Sequence, residues 1–276
     1  MTWNDSNINE GKVATAFSKQ ADIFDSIYST DGIIQYKRER VRDHLKQYLG
    51  TRSNVLELNS GTGEDAIWLA KQGHWVHATD ISENMQQVLS QKVKANKMES
   101  RISNEQCSFT CLNQLHFKGP YDMIFSNFAG LNCTGDLDKI LQSFSALLKP
   151  GGIVTLVMLP PFCLWETMLL FKGMFKTATR RFPKKNGTPA KVEGLSFNCW
   201  YYKPSYITGH LKEEYTVLNL EGLCTIVPPS YISHFAEKHP ALFTWLKVIE
   251  NKWKNKWPWK FIGDYYIISL QKKCPA

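Results

Sequence analysis

The chain has 276 residues, 43% hydrophobic and 21% charged. This excludes a disordered, fibrous or collagen-like polymer and fits one large domain with an insertion. The formal charge of +8 favours anionic partners and leaves the fold open. Seven cysteines with no C-x-x-C pair exclude a disulfide scaffold and argue against structural zinc, so free cytosolic thiols are expected.

The start, MTWNDSNINEGK, lacks the basic and apolar regions of a secretory signal. The longest strongly apolar run, Ile153 to Pro161, is far short of the roughly 20 residues that span a bilayer. A cytoplasmic protein is expected. Ile8 to Leu49 reads as helix, broken at Thr30–Asp31–Gly32, because Val13, Phe17, Ala21 and Phe24 recur at helical spacing. Strands are expected at Asn54–Leu58, Trp75–Asp80, Gln106–Leu112, Tyr121–Asn127 and Ile153–Leu159. Helices are expected at Ala66–Gln72, Ser82–Asn96 and Asp136–Leu148 between them. This beat predicts βαβ units in a mainly parallel sheet. After Pro160–Pro161 it stops. Strands return at Tyr215–Cys224 and Asp264–Leu270, with a helix from Tyr231 to Lys252 between them.

The most informative stretch is VLELNSGTGEDAIWLAKQG, Val55 to Gly73. A strand feeds Gly61-x-Gly63 and a helix begins at once. Glycines let the backbone approach a ligand, and the helix N-terminus presents free N–H groups. Asp80, at the end of the next strand, can accept hydrogen bonds from both hydroxyls of a ribose. Gly61-x-Gly63-x-x-Ala66 also satisfies the dinucleotide fingerprint, which would imply an NAD-linked oxidoreductase. Glu57 opposes that reading. It ends the strand facing the ligand, repelling a diphosphate and attracting an ammonium or sulfonium.

VLELNSGTG, HATDIS, FSNF and LLKPGGIVTLVM, in this order, resemble the motifs of class I S-adenosylmethionine (SAM)-dependent methyltransferases over Val55 to Leu159. FSKQADIFD resembles the entry helix of the ubiquinone/menaquinone and malonyl-carrier-protein methyltransferases. The resemblance implies an α/β, Rossmann-like, seven-stranded, mostly parallel sheet with an antiparallel last strand. It divides the chain into a helical N-terminal cover (1–50), a SAM-binding core (51–159), a lid or substrate insertion (160–214) and C-terminal elements completing the core (215–276). By position it implies that Glu57, Asn59, Gly61 and Gly63 line the methionine end of SAM, that Asp80 holds the ribose and that Ile81 packs on adenine. Cys111, Leu112 and Asn113 take the adenine side, Asn127 and Phe128 sit near the sulfonium, and Phe24 and Tyr28 face it from the lid. Two departures stand out: Asn59 replaces the usual first glycine, and the usual acid near adenine is missing. A non-catalytic SAM- or lipid-binding protein is therefore an alternative.

The expected reaction is methyl transfer to a small or medium-sized, apolar organic acceptor, lipid-like or carrier-bound, with oxygen favoured by family frequency. His210, Tyr202 and Asn127 are the catalytic candidates, and Tyr201 and Glu166 further polar contacts. His74, His77, His116 and His234 read as structural or surface residues, and no spacing implies a metal. The stretch Leu164–Lys185 has helical spacing and concentrated positive charge between 172 and 185. It is expected to serve as a lid or to meet a membrane surface or acidic partner. WKNKWPWK, Trp253 to Lys260, could add to it. SNFA after the fourth strand differs from the motif of base-amine methyltransferases, so nucleic acid is not favoured.

Overall fold

The computed structural model describes residues 5–182 and 184–274, so the first four residues and Pro183 of the basic stretch lie outside the described residues. Helices α1 (Asp5–Ser29) and α2 (Gly32–Lys46) precede β1 (Asn54–Leu58), α3 (Glu64–Lys71), β2 (Trp75–Asp80), α4 (Glu83–Ala95) and β3 (Ile102–Gln106). Then come β4 (Tyr121–Ser126), α5 (Leu137–Leu147) and β5 (Leu148–Met158). The insertion holds short helices α6 (Leu164–Met168) and α7 (Phe175–Ala178), a hairpin of β6 (Thr188–Val192) and β7 (Leu195–Cys199), and α8 (Pro204–Leu211). The chain closes with β8 (Tyr215–Leu223), α9 (Phe235–Lys238), α10 (Pro240–Trp253) and β9 (Tyr265–Lys272).

Seven strands form one sheet in the order β3-β2-β1-β4-β5-β9-β8. All run parallel except β9, which is antiparallel to both neighbours. The central strands are apolar on both faces because both faces are covered. Leu56, Ile124, Val154 and Ile268 point to the layer of α5 and α8. Val55, Met123, Phe125, Ile153 and Ile267 point to the layer of α2, α3 and α4. The order of connection reverses between β1 and β4, so a crevice opens at their carboxyl ends.

Several local expectations hold. Asp31 caps α2, its Oδ1 accepting from the Ile33 and Ile34 amides, which explains the break after α1. Ser82 caps α4 by accepting from the Met85 amide. Others need correction. The third strand is Ile102–Gln106, not Gln106–Leu112. It is an edge strand of polar ISNEQ, whereas Phe109 and Leu112, which suggested a strand, enter the core from a 3-10 turn at Phe109–Gln114. The single helix expected at Tyr231–Lys252 is two, because His239 precedes Pro240 and leaves the helical region. The helical spacing of Leu164–Lys185 is interrupted at Gly173, which is left-handed at φ 71. Hairpin β6–β7 and α8 had no clear sequence signal.

A buried polar network fastens α2 and α10 to the sheet. Glu221 on β8 pairs with Arg40 (2.9 Å), Lys254 (2.9 Å) and His44. His44 Nε2 in turn meets Ser269 on β9 at 2.8 Å. Glu250 on α10 accepts four backbone N–H groups of residues 224–227 at 2.8–2.9 Å. Burial pushes the Glu221 carboxyl up, but His44, Arg40 and Lys254 outweigh it and hold it at about 2. A depressed carboxylate stabilises fully above its unfolded value, near ~4.3, and loses that contribution as pH falls through the folded one. Glu221→Gln should therefore cost about 3–5 kcal/mol at neutral pH, because it unbalances buried charges. It should also flatten the loss of melting temperature between about pH 4 and 2. Thermal melting across pH checks both. An unchanged acid slope would remove Glu221 from the account.

Candidate cofactor and active site

The crevice between β1 and β4 is a cleft whose empty space, including its open mouth, is about 930 Å³. Its floor is the loop after β1. Gly61 adopts φ 55, donates its N–H to Asp80 Oδ2 at 2.9 Å, and leaves open space where a Cβ would stand. Gly63 caps α3 at φ 80, and a Cβ there would lie 2.0 Å from Leu89 of α4. So Gly61 faces the cleft, while Gly63 lets α3 and α4 close together and is not itself a lining residue.

Asn59, the departure from the glycine pattern, is left-handed at φ 48, a region asparagine tolerates better than most side chains. Its amide donates to the Asn127 carbonyl at 2.9 Å and accepts from Ser126 Oγ at 2.6 Å. The residue that replaces glycine thus ties the loop after β1 to the loop after β4. Gly130 makes room for it, since a Cβ at 130 would lie 2.2 Å from the Asn59 amide.

The charges are arranged unequally. Asp65, in the first turn of α3, binds Arg38 at 2.8 Å, Arg42 at 3.0 Å and Asn127 Nδ2 at 2.7 Å. Burial opposes its ionisation, yet the two guanidiniums win and hold it below the usual carboxylate range. Glu57 lines the same cleft, 2% exposed, and its Oε2 has no hydrogen-bond partner. Burial, with Asp65 beside it, pushes the Glu57 carboxyl well above the usual range, against the pull of Arg38 and Arg42. An orphaned buried carboxylate is costly unless a cation arrives. Asp80 accepts from the Gly61 and Ser82 amides at 2.9 and 2.8 Å. Burial lifts its carboxyl, while these amides work against the lift. A carboxylate has about four lone-pair sites, so Asp80 retains acceptor capacity.

Helix α1 roofs the cleft with Val13, Phe17 and Phe24. Asp25 pins it to the loop by accepting from Thr62 Oγ1 at 2.6 Å and pairing with Lys92 at 2.7 Å. Ser18 meets Ser82 at 2.7 Å. Asn9 bridges to the insertion, exchanging hydrogen bonds with the Asn198 backbone. Tyr28 packs against Phe24 with ring centres 4.7 Å apart and the planes tilted by 60°, and does not itself line the cleft. Phe128, left-handed at φ 44, does line it, with the Arg38 guanidinium 5.1 Å from its ring centre.

The adenine side differs from expectation. Cys111, Leu112 and Asn113 are not lining residues: Leu112 is core, Asn113 is exposed and Cys111 is half-buried in the 3-10 segment. Because β3 ends at Gln106, its register partner being Asp80, the residues beside Ile81 are Cys107 and Phe109. Next to them, Glu10 of α1 accepts from Ser108 at 2.5 Å and Thr110 at 3.0 Å. Its Oε1 is buried without a partner, and burial raises its carboxyl. The sequence concealed Glu10, since nothing in a helix of mixed polarity says which side chain crosses to a loop 98 residues away.

The catalytic candidates separate. Asn127 lines the cleft, but its side chain is committed to Asp65 and to the Phe128 amide at 2.8 Å. Tyr202 is buried in the core behind β5 and donates to the Thr134 carbonyl at 2.6 Å. His210 is exposed on α8, bonded to the Tyr206 carbonyl at 2.8 Å. Glu166 is buried between Arg180 and Arg181, and Tyr201 lies over Arg181. None of these last four lines the cleft, so they are removed from the set of direct contacts. Cys163, Glu166 and Asp264 cluster closely enough to hold a metal, but Arg181 already bridges both carboxylates at 2.6 Å and supplies the cation.

Residues 55–152 match the family described as "Methyltransferase domain". The tRNA 5-carboxymethoxyuridine methyltransferase of Escherichia coli K12 is 29% identical over 103 residues, 37% of this chain and 39% of that protein. The chain thus spans about two fifths of that relative's length. Among solved structures, the [4+2]-cyclase SpnF superposes with a TM-score of 0.61 at 14% identity, covering 97% of each chain. The Burkholderia thailandensis 1,6-didemethyltoxoflavin-N1-methyltransferase, with S-adenosylhomocysteine (SAH) bound, superposes at 0.57 and 13% identity, over 99% of this chain and 92% of that one. The superpositions bear on the fold alone. The motif order and the methyltransferase domain matched over residues 55–152 support a class I S-adenosylmethionine-dependent methyltransferase that uses SAM, and the superpositions show that the chain has the fold of such proteins.

Proposed function

We propose that the protein transfers the SAM methyl group to an oxygen of a small, largely apolar organic acceptor. The observation that carries the cofactor placement is the orphaned Glu57 Oε2, which fits the ammonium of SAM as no uncharged or diphosphate ligand would. Asp80 would take the ribose hydroxyls, and Ile81, Met85 and Phe109 would hold the adenine. Glu10, which lies behind the lining residues Cys107 and Phe109 on Ser108 and Thr110, would reach the exocyclic amine with its unpartnered Oε1 once the nucleoside is seated, supplying from α1 the acid missing after β3. SAM supplies a methyl group on a sulfonium, open to displacement. Phe17 and Phe24 exclude water from that end, and Asn127 holds its loop still.

Among the described residues, no histidine lines the cleft, and its carboxylates serve the cofactor, stand between arginines or, as Glu64 does, pair with Lys92. No side chain is therefore free to take a proton from a weakly acidic acceptor. An acceptor that arrives ionised, as a carboxylate or an acidic phenol, needs none. Alignment of nucleophile, methyl and sulfur can then supply ~7–11 kcal/mol of the barrier. The apolar part of the acceptor would lie against Val13, Phe128, Ala129 and Cys133, below α1, which Asn9 ties to Asn198 of the hairpin.

A panel of apolar carboxylic acids, phenols and amines on matched skeletons, scored by SAH release, tests the acceptor. Turnover of acids or phenols is expected. Turnover of amines alone, or rearrangement of a polyene without methyl transfer, would contradict it. Titration with SAH tests the cofactor contacts. Burial holds the Glu57 carboxyl above the usual range, and an ammonium placed against it favours the ionised form, so its proton passes to solvent. Binding should thus release a proton and strengthen as pH rises through that titration. Glu57→Gln should abolish the release and weaken binding by about tenfold or more. Glu10→Gln should erase the preference for SAH over S-inosylhomocysteine. Unchanged behaviour in either variant would displace that residue from its role.

A further inference from the structure

Away from the cleft, two segments that are distant in sequence form one surface. A shallow groove is lined by Trp165 and Met168 of α6 together with Trp245, Ile249 and Trp253 of α10 and by Trp259. Hydrogen bonds hold the segments together: the Leu164 amide donates to the Ile262 carbonyl at 2.9 Å, and Trp165 Nε1 to the Thr225 carbonyl at 3.1 Å. Large apolar side chains of the same two segments stand into solvent: Phe171 is 91% exposed, Trp257 79%, Val248 67%, Phe175 66% and Trp245 59%. Soluble monomers rarely leave large apolar surface uncovered without a purpose.

The charge on this surface has one sign. Between residues 162 and 185 the sole acid is Glu166, and between 240 and 261 it is Glu250. Both are buried, at 1% and 0% exposure, and spent on internal partners. The solvent-facing charges of the two segments are thus cationic. Lys172, Lys176, Lys252 and Lys256 are exposed, and Lys256 lies 4.6 Å over the Trp253 ring.

We propose that this face docks on an anionic lipid surface, its tryptophans and phenylalanines sinking into the headgroup boundary while the lysines meet lipid phosphates. Tryptophan, with an apolar body and one N–H, suits the depth where bilayer meets water, and lysines reach the surface on long apolar stems. Each lysine near an anionic leaflet adds to the attraction. Nucleic acid would use the lysines too, but it has no use for exposed Val248, Met168 and Leu242, which cannot stack on bases. No helix of the described residues is long and apolar enough to cross a membrane, so contact would be from one side. The surface is independent of the acceptor's identity.

Vesicle flotation of the full chain decides it, using phosphatidylcholine alone and phosphatidylcholine mixed with phosphatidylglycerol, at low and high salt. Binding is expected to the mixed vesicles and to weaken with salt. Lys252→Ser with Lys256→Ser should lower the affinity about thirtyfold, and Trp245→Ser with Trp257→Ser about tenfold. Both variants should keep the melting temperature and SAH affinity of the parent. Failure to float with anionic vesicles would overturn the proposal. So would flotation indifferent to both substitutions, or tight binding of an RNA competitor that needs the lysines but not the tryptophans.

Discussion

A carboxylate buried at the point where β1 and β4 part, with no cation of its own, sets the terms for everything around it. Asp65 is satisfied twice over by Arg38 and Arg42, and Glu57, within its field, is left with Oε2 unpartnered. The protein has arginine within reach and directs it to the neighbour. The result is a site that is electrostatically incomplete until a positive group enters, and selective by sign before any shape is considered. Helix α2 supplies both arginines on one face, while two of its other buried polar side chains, Arg40 and His44, lock it to β8 and β9. The element that biases the cleft is therefore rigidly referenced to the sheet.

Asn59 shows how a departure from a pattern can be absorbed. The backbone there needs a left-handed conformation that glycine would adopt freely. Asparagine reaches it at some cost and offsets that cost with two hydrogen bonds across the switch point. The loop after β1 and the loop after β4 then move as one body. A stiff floor suits a reaction that depends on alignment rather than on a titrating side chain. The roof is also tied down, through Asp25 and Ser18 on one side and Asn9 on the other.

What could be read from the sequence was what is local. The strand–glycine–helix loop, Asp80 and the buried strands β1, β4 and β5 announce themselves through composition and spacing. So do the caps Asp31 and Ser82, whose chemistry acts over two or three residues. Edge and insertion elements do not. Strand β3 is polar because one edge and part of its faces meet water, whereas the apolar residues of the following 3-10 turn have the composition of a strand; the cleft residues beside Ile81 are therefore Cys107 and Phe109 rather than residues 111–113. Glu10, Arg38 and Arg42 were invisible as site residues because their roles depend on which helix face the tertiary fold turns inward. His210 and Tyr202 illustrate the reverse: residue types suited to proton transfer that packing assigns to the surface and the core.

The central claim is that the crevice is built for a cationic amino-acid–nucleoside ligand and not for a dinucleotide. Isothermal titration of the ligand-free protein with SAH and, in parallel, with NADH tests it most directly. The account predicts SAH binding in about the micromolar range with negligible NADH binding. Binding of NADH alone would contradict it and return the Gly61–Gly63 loop to the dinucleotide reading.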